Sequence, residues 1–195
     1  LRSGGSSSDS VYKSADRAVT WEPVSAPPAE TIPKALVVHS TNSTVYAGTR
    51  DGVFKSADGG RNWQSAGLDD IVVRTLVLDP TNPSIIYALT GISIFAGSGI
   101  YKSTDAGMTW NSLSPDLSES FISALAIDPL NPATLYAGTF ANSDAFVLKL
   151  DPTGQNVVYA TYYGGAGNEA GNDIAIDLAG NAYITGAVFT TSGAP

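Results

Sequence analysis

The chain has 195 residues, 43% hydrophobic and 14% charged, with a net charge of −8 and no cysteine. An acidic chain without a basic run is repelled by a nucleic-acid phosphate backbone. The missing cysteines exclude disulfide frameworks and thiolate metal sites, and no apolar run reaches the roughly 18 residues of a membrane-spanning helix.

In chain order, the opening LRSGGSSSDS (1–10) predicts a flexible lead-in, because Gly/Ser-rich sequence has little to bury. The chain opens on Leu1 and its one methionine is Met108, which leads to the expectation of a removed leader or a fragment. At 11–25 a short run, VYKS, leads into SADRAVTW. At 35–49 an apolar run, a turn and a tyrosine-bearing run follow: ALVVHSTNSTVYAGT. VFKS and SADGGRNW come next. The order then repeats with TLVLDPTNPSIIYALT (75–90), IYKS and STDAGMTW, and a third time with ALAIDPLNPATLYAGT (124–139). Ser, Asp and Trp hold fixed places in the recurring motif: Ser14, Asp16 and Trp21; Ser56, Asp58 and Trp63; Ser103, Asp105 and Trp110. Its period of roughly 40 to 50 residues predicts one supersecondary unit per repeat.

Each unit reads as four short strands. The Asp-Pro-x-Asn-Pro corner suits a hairpin turn, since Pro cannot donate to a ladder and Asn tolerates turn geometry. Gly and Pro interrupt the sequence too often for helices. Four-stranded units in series predict an all-β protein of about 14 to 16 strands, built like the blades of a β-propeller. The first segment supplies a third-and-fourth strand pair at 11–25. Two full blades run to about 114, and a first-and-second pair occupies 121–140. In the last quarter, strands are expected at 145–150, 156–162, 172–177 and 181–186. The loose pairs at the two ends predict either a closed four-bladed ring or, preferred here, an arc of a larger one. We expect residues 11–195 to form a single propeller segment.

The motif Ser-x-Asp-x-Gly-x-Thr-Trp resembles the Asp-box, or BNR repeat, found in sialidases, sortilin-type receptors, some glycoside hydrolases and photosystem assembly factors. The resemblance covers about 11–140. The third copy matches throughout, the second has Asn62 for Thr, and the first has Ala18 for Gly, which predicts a distorted turn. From 143 to 188 the sequence is similar instead to the SBBP repeat, a bacterial β-propeller unit, through KLDPTG, TYYGG, GNDIAID and AGNAYITG. The Asp-box resemblance implies a structural turn on the rim away from the ligand face. There Ser and Asp accept backbone N–H groups, Gly60 and Gly107 provide positive φ, and Trp63 and Trp110 cover the turn.

A sialidase needs three arginines for its substrate carboxylate. Of the five here, Arg2 lies in the lead-in and Arg17 and Arg61 in motif turns, so only Arg50 and Arg74 remain. A glycosidase needs two facing carboxylates, and no pair is marked. His39 stands where Asp79 and Asp128 stand in the other corners, as a turn residue. DPTGQN and DLAGN lack the alternating carboxylates of a calcium loop, and the glycines of 163–172 lack a dinucleotide-loop context. No catalytic residue, cofactor or metal ligand is expected.

Propellers bind through the loops between blades and the second-to-third strand loops. The blade-to-blade loops are expected at 22–31, 67–70, 114–120 and 164–172. They carry Glu22, Glu30, Asp69, Asp70, Asp116, Glu119 and Glu169 and no Lys or Arg; the loop 91–99 adds Phe95. The candidate ligand face is therefore Asp69, Asp70, Phe95, Asp116, Glu119 and Glu169, an acidic arc suited to a basic partner or to a glycan stacked on Phe95. The expected function is a non-catalytic protein- or glycan-binding module of an exported or cell-surface bacterial protein, monomeric or part of a larger chain, without nucleic-acid binding or membrane insertion. The alternative is a fragment of a glycan-processing hydrolase with its catalytic residues elsewhere.

Overall fold

The computed structural model describes residues 11–27, 32–40, 42–91, 99–113, 121–132, 134–140, 145–151, 156–163 and 168–189. The lead-in 1–10, Glu30, Phe95, Asp116 and Glu119 lie outside them. The described residues hold strands and turns and no helix.

Sixteen strands fall into five antiparallel sheets. The first is a pair, β1 (Val11–Lys13) and β2 (Glu22–Val24). Three four-stranded meanders follow. One comprises β3 (Ala35–Val38), β4 (Val45–Thr49), β5 (Gly52–Ser56) and β6 (Gln64–Ser65). The next comprises β7 (Val73–Leu78), β8 (Ile86–Thr90), β9 (Gly99–Ser103) and β10 (Asn111–Leu113). The third comprises β11 (Phe121–Ile127), β12 (Leu135–Phe140), β13 (Ala145–Leu150) and β14 (Val157–Tyr163). A closing pair is β15 (Asn168–Ile176) with β16 (Ala182–Phe189). This is the expected partition: half a unit, three units, half a unit. The two terminal pairs are separate sheets, so the described strands form an open series and not a closed four-bladed ring.

Two boundaries differ from the sequence reading. Glu22 lies in β2, paired with Lys13, and not in a loop. Glu169 lies in β15, paired with Val188, because that strand starts at Asn168 and not at 172. The run NEAGN is rich in turn-forming residues, yet its first four residues pair with β16, and tertiary pairing overrides local preference.

The core lies between sheets. Tyr46, Val53 and Ala66 of the first meander cluster with Val73, Leu76, Ile86 and Ala88 of the second. Tyr87, Leu89, Ile100 and Leu113 of the second cluster with Ile122, Leu125, Leu135 and Leu148 of the third. Ala124, Ala126, Tyr136 and Val147 then meet Ile174 of β15. Second strands are covered on both faces, so they read as near-continuous buried runs, VYAGT and IYALT. Gly48 shows how tight this is: a Cβ there would lie 2.8 Å from Val73 Cγ1 of the next sheet.

One cross-strand pair repeats in every meander. Tyr46 faces Lys55, Tyr87 faces Lys102 and Tyr136 faces Lys149. The ammonium groups sit 5.4, 5.3 and 5.8 Å from the ring centroids, within cation–π range. The rings are buried, so each lysine stem covers apolar surface while its charge remains near solvent.

Candidate functional site

The two edges of the sheets differ. One edge holds the first-to-second and third-to-fourth strand turns, including the Ser-x-Asp motif. In the motif turn before β10, the buried Ser103 Oγ accepts the Gly107 N–H at 2.9 Å and donates to Asp105 at 2.8 Å. Asp105 accepts the Thr109 N–H at 2.8 Å and the Thr109 hydroxyl. The turn before β6 repeats this with Ser56, Asp58, Gly60 and Asn62. These carboxylates therefore spend their lone pairs on their own turns. The Thr109 hydroxyl and then its N–H hold Asp105 down at about 2, Thr20 does the same for Asp16 at about 2, and the Asn62 N–H and side-chain amide hold Asp58 lower still.

Each turn runs through two successive residues at positive φ: Arg17 and Ala18, Gly59 and Gly60, Ala106 and Gly107. The first copy is not distorted by its alanine, contrary to expectation. Ala18 adopts φ 68°, its N–H donates to Ser14 Oγ at 2.7 Å, and Asp16 accepts the Val19 and Thr20 N–H groups at 3.1 and 2.9 Å. The hydrogen bonds outweigh the left-handed strain of one small side chain.

The tryptophans reach further than their own turns. Trp63 Nε1 donates to the Ser25 carbonyl at 2.7 Å, and Trp110 Nε1 to the Ala66 carbonyl at 2.8 Å. Both acceptors lie just after the last strand of the preceding sheet. Tyr46 Oη donates to the Ala106 carbonyl at 3.3 Å, which ties that sheet to the next motif turn from the other side. The motif is thus a staple between neighbouring sheets. Sequence alone did not reveal this second partner, because the acceptors lie 38 and 44 residues upstream of their tryptophans. Trp21 has no sheet before it among the described residues and is 59% exposed.

The remaining corners follow the same logic. Asp79 accepts the Thr81 and Asn82 N–H groups, and Asp128 those of Leu130 and Asn131. Asp177 accepts from Ala179, Asn181 and Tyr183, and the Asn181 side chain is the main cause of its value of about 2. His39 N donates to the Thr44 carbonyl at 2.9 Å, closing the corner that it occupies.

The opposite edge carries the connections between sheets. Asp69 and Asp70 are exposed there, with Asp69 accepting the Ser65 hydroxyl at 2.7 Å and Asp70 at φ 62°. Of the expected ligand face, only these two have described side chains. That edge also holds a repeated irregularity. Three of the four first strands, β7, β11 and β15, carry a bulge, with Arg74, Ser123 and Asn172 as the extra residues. Ser123 Oγ donates to the Gly138 carbonyl at 3.1 Å and to the carbonyl of Gly171 in the next sheet's bulge. Arg74 Nη1 is buried without a hydrogen-bond partner among the described residues. Bulges re-aim side chains at sheet rims, and here one places a cation on an edge that the loops alone suggested was purely acidic. Among the described residues no group of His, Cys, Asp or Glu is placed to hold a metal ion.

A family model described as a β-propeller repeat, SBBP, matches residues 158–187, which run from β14 through most of β16. Solved structures align over most of the chain. The Niastella koreensis GH74 enzyme gives a TM-score of 0.66 at 19% identity, covering 86% of this chain and 30% of that one. The fold is a β-propeller. The GH74 xyloglucanase from Xanthomonas campestris aligns with this propeller at a TM-score of 0.64 and 16% identity, covering 86% and 29%. A chain of a nidogen/laminin complex aligns at 0.64 and 15% identity, covering 86% and 61%. The chain thus spans under a third of the two GH74 enzymes, and at these identities the propeller shares their fold. No curated protein sequence matches the chain.

Proposed function

We propose that the chain is a non-catalytic binding module of an exported or cell-surface bacterial protein, taking a basic protein partner or a neutral glycan on the edge that carries Asp69 and Asp70. What supports this reading is the assignment of the carboxylates. Asp16, Asp58, Asp79, Asp105, Asp128 and Asp177 are engaged by the N–H groups of their own turns, whereas Asp69 and Asp70 stand exposed together on the loop edge. The motif turns have the residue order of an Asp-box and act here as scaffold. Adjacent carboxylates attract cations, and the attraction weakens with salt. Titration with a lysine-rich peptide at low and high ionic strength tests the proposal. Binding that falls with salt and with Asp69→Asn plus Asp70→Asn supports it; salt-insensitive binding unaffected by both changes refutes it.

A second reading is a segment of a glycan-processing hydrolase whose catalytic residues lie outside this chain. The unpaired Arg74 guanidinium nitrogen on the same edge favours it, since guanidinium suits carboxylate recognition. Tight binding of an anionic sugar, abolished by Arg74→Ala, would favour this reading over the first.

A further inference from the structure

The bulges put one residue of each unit in the same place. Arg74 precedes Thr75, which faces Leu89; Ser123 precedes Ala124, which faces Gly138; Asn172 precedes Asp173, which faces Thr185. Leu89, Gly138 and Thr185 each stand two residues after the second-strand tyrosine, as Gly48 does. Ala35 faces Gly48, and the Lys34 N–H donates to the Gly48 carbonyl at 2.7 Å, so Lys34 holds this place ahead of β3. In chain order the four residues are Lys34, Arg74, Ser123 and Asn172.

Ser123 shows where the place points. Its hydroxyl spans from the Gly138 carbonyl of its own sheet to the Gly171 carbonyl at the next sheet's bulge. First strands of neighbouring sheets pack on one another, β3 on β7, β7 on β11 and β11 on β15. A side chain in this place therefore reaches along the inner rim toward the following first strand, and Lys34, which is exposed, reaches toward β7. The next two places hold the uncharged Ser123 and Asn172, so positive charge at this level is confined to Lys34 and Arg74. Where Ser123 satisfies two carbonyls with one short hydroxyl, Arg74 leaves Nη1 buried with no hydrogen-bond partner among the described residues. A guanidinium taken from water without an acceptor is costly, and a carboxylate is the acceptor that its planar fork fits.

We propose that Arg74 and Lys34 hold the carboxylate of an acidic sugar at this rim. The proposal rests on the glycan-processing reading above and narrows its substrate. Asp69 and Asp70 stand exposed on the same edge, a few residues before Arg74. They repel a polyanion, so the ligand carries one carboxylate among neutral hydroxyls, as one uronic acid unit in an otherwise neutral oligosaccharide does.

Titration of the 195-residue chain with a disaccharide bearing one uronic acid unit, and with its methyl ester, isolates the carboxylate, because the ester keeps every sugar hydroxyl. The acid should bind about tenfold or more tighter than the ester, the range of a charged hydrogen bond. Arg74→Gln should abolish that preference, and Lys34→Ala, at an exposed position, should reduce it while Tm stays unchanged. A polyuronate should bind more weakly than the disaccharide acid. Equal binding of acid and ester overturns the proposal and leaves the glycan reading standing; binding of neither overturns it together with a glycan role for this edge. A preference for the acid that survives both Arg74→Gln and Lys34→Ala overturns it too, since the carboxylate then sits elsewhere.

Discussion

Replacing Trp110 by Phe removes one N–H and keeps most of an apolar ring. The indole nitrogen donates to the Ala66 carbonyl at 2.8 Å, and Ala66 is 7% exposed, so water cannot readily take over. An acceptor left unpaired in such a place costs about 1–3 kcal/mol. The smaller ring also loses contact with the chain at Gly67, where even a Cβ would lie 2.8 Å from Trp110 Cδ1. Burial lost at roughly 25 cal/mol per Å² over some tens of Å² adds under about 1 kcal/mol. A total of about 2–3 kcal/mol lowers Tm by roughly 5–10 °C for a chain of this size. Trp21 supplies the internal control. It holds the same motif position but is 59% exposed and makes no staple among the described residues, so Trp21→Phe should stay within about 0.5 kcal/mol. Denaturant unfolding of both variants decides the matter. Equal losses would refute the staple and leave the tryptophan with a role inside its own turn alone.

Ser103→Ala strands the buried Gly107 N–H and should destabilise by about 1–3 kcal/mol in the same assay; Ser14→Ala, in the exposed first copy, should cost less. Ala18→Gly relieves a left-handed alanine and should stabilise by about 0.5–1 kcal/mol, so a loss on this change would mean that the φ of 68° carries no strain. Asp16, Asp105 and Asp177 sit at about 2 in the folded chain, below the ordinary 3.8. A depressed carboxylate favours the folded state above its unfolded value, and that contribution disappears as pH falls through the folded one. Unfolding followed by denaturant titration should therefore show a constant contribution above about pH 5 and a loss between about pH 4 and 2. A flat profile through that window would contradict the turn hydrogen bonds.

The repeat was legible because its corners are chemical. Asp79 and Asp128 need Asx geometry and Gly107 a positive φ, and these needs fix residue types at fixed places. Strand order followed from the tyrosine and lysine runs between the corners. The start of β15 was not legible, since Asn168, Glu169 and Gly171 look like loop residues until β16 pairs with them. The bulges were hidden too, because an extra residue such as Arg74 changes no hydrophobic period locally; it appears only in the partner strand's register. Trp63 and Trp110 were recognised as turn covers, but their acceptors, Ser25 and Ala66, lie about 40 residues upstream, beyond any local pattern.

The location of the core between sheets makes this a nearly one-dimensional solid. No sheet owns its interior: Tyr46 is buried by its successor, and Ala66 is closed by the tryptophan that follows it. In such a system stability accumulates with the number of interfaces and hardly at all with isolated units. Opening should therefore begin where a sheet has one neighbour among the described residues, at β1–β2 and β15–β16, and advance inward one interface at a time. Amide exchange should be slowest in β8 and β12, the strands furthest from a free face, and duplication of a whole repeat is the cheapest way for such a chain to become harder to melt.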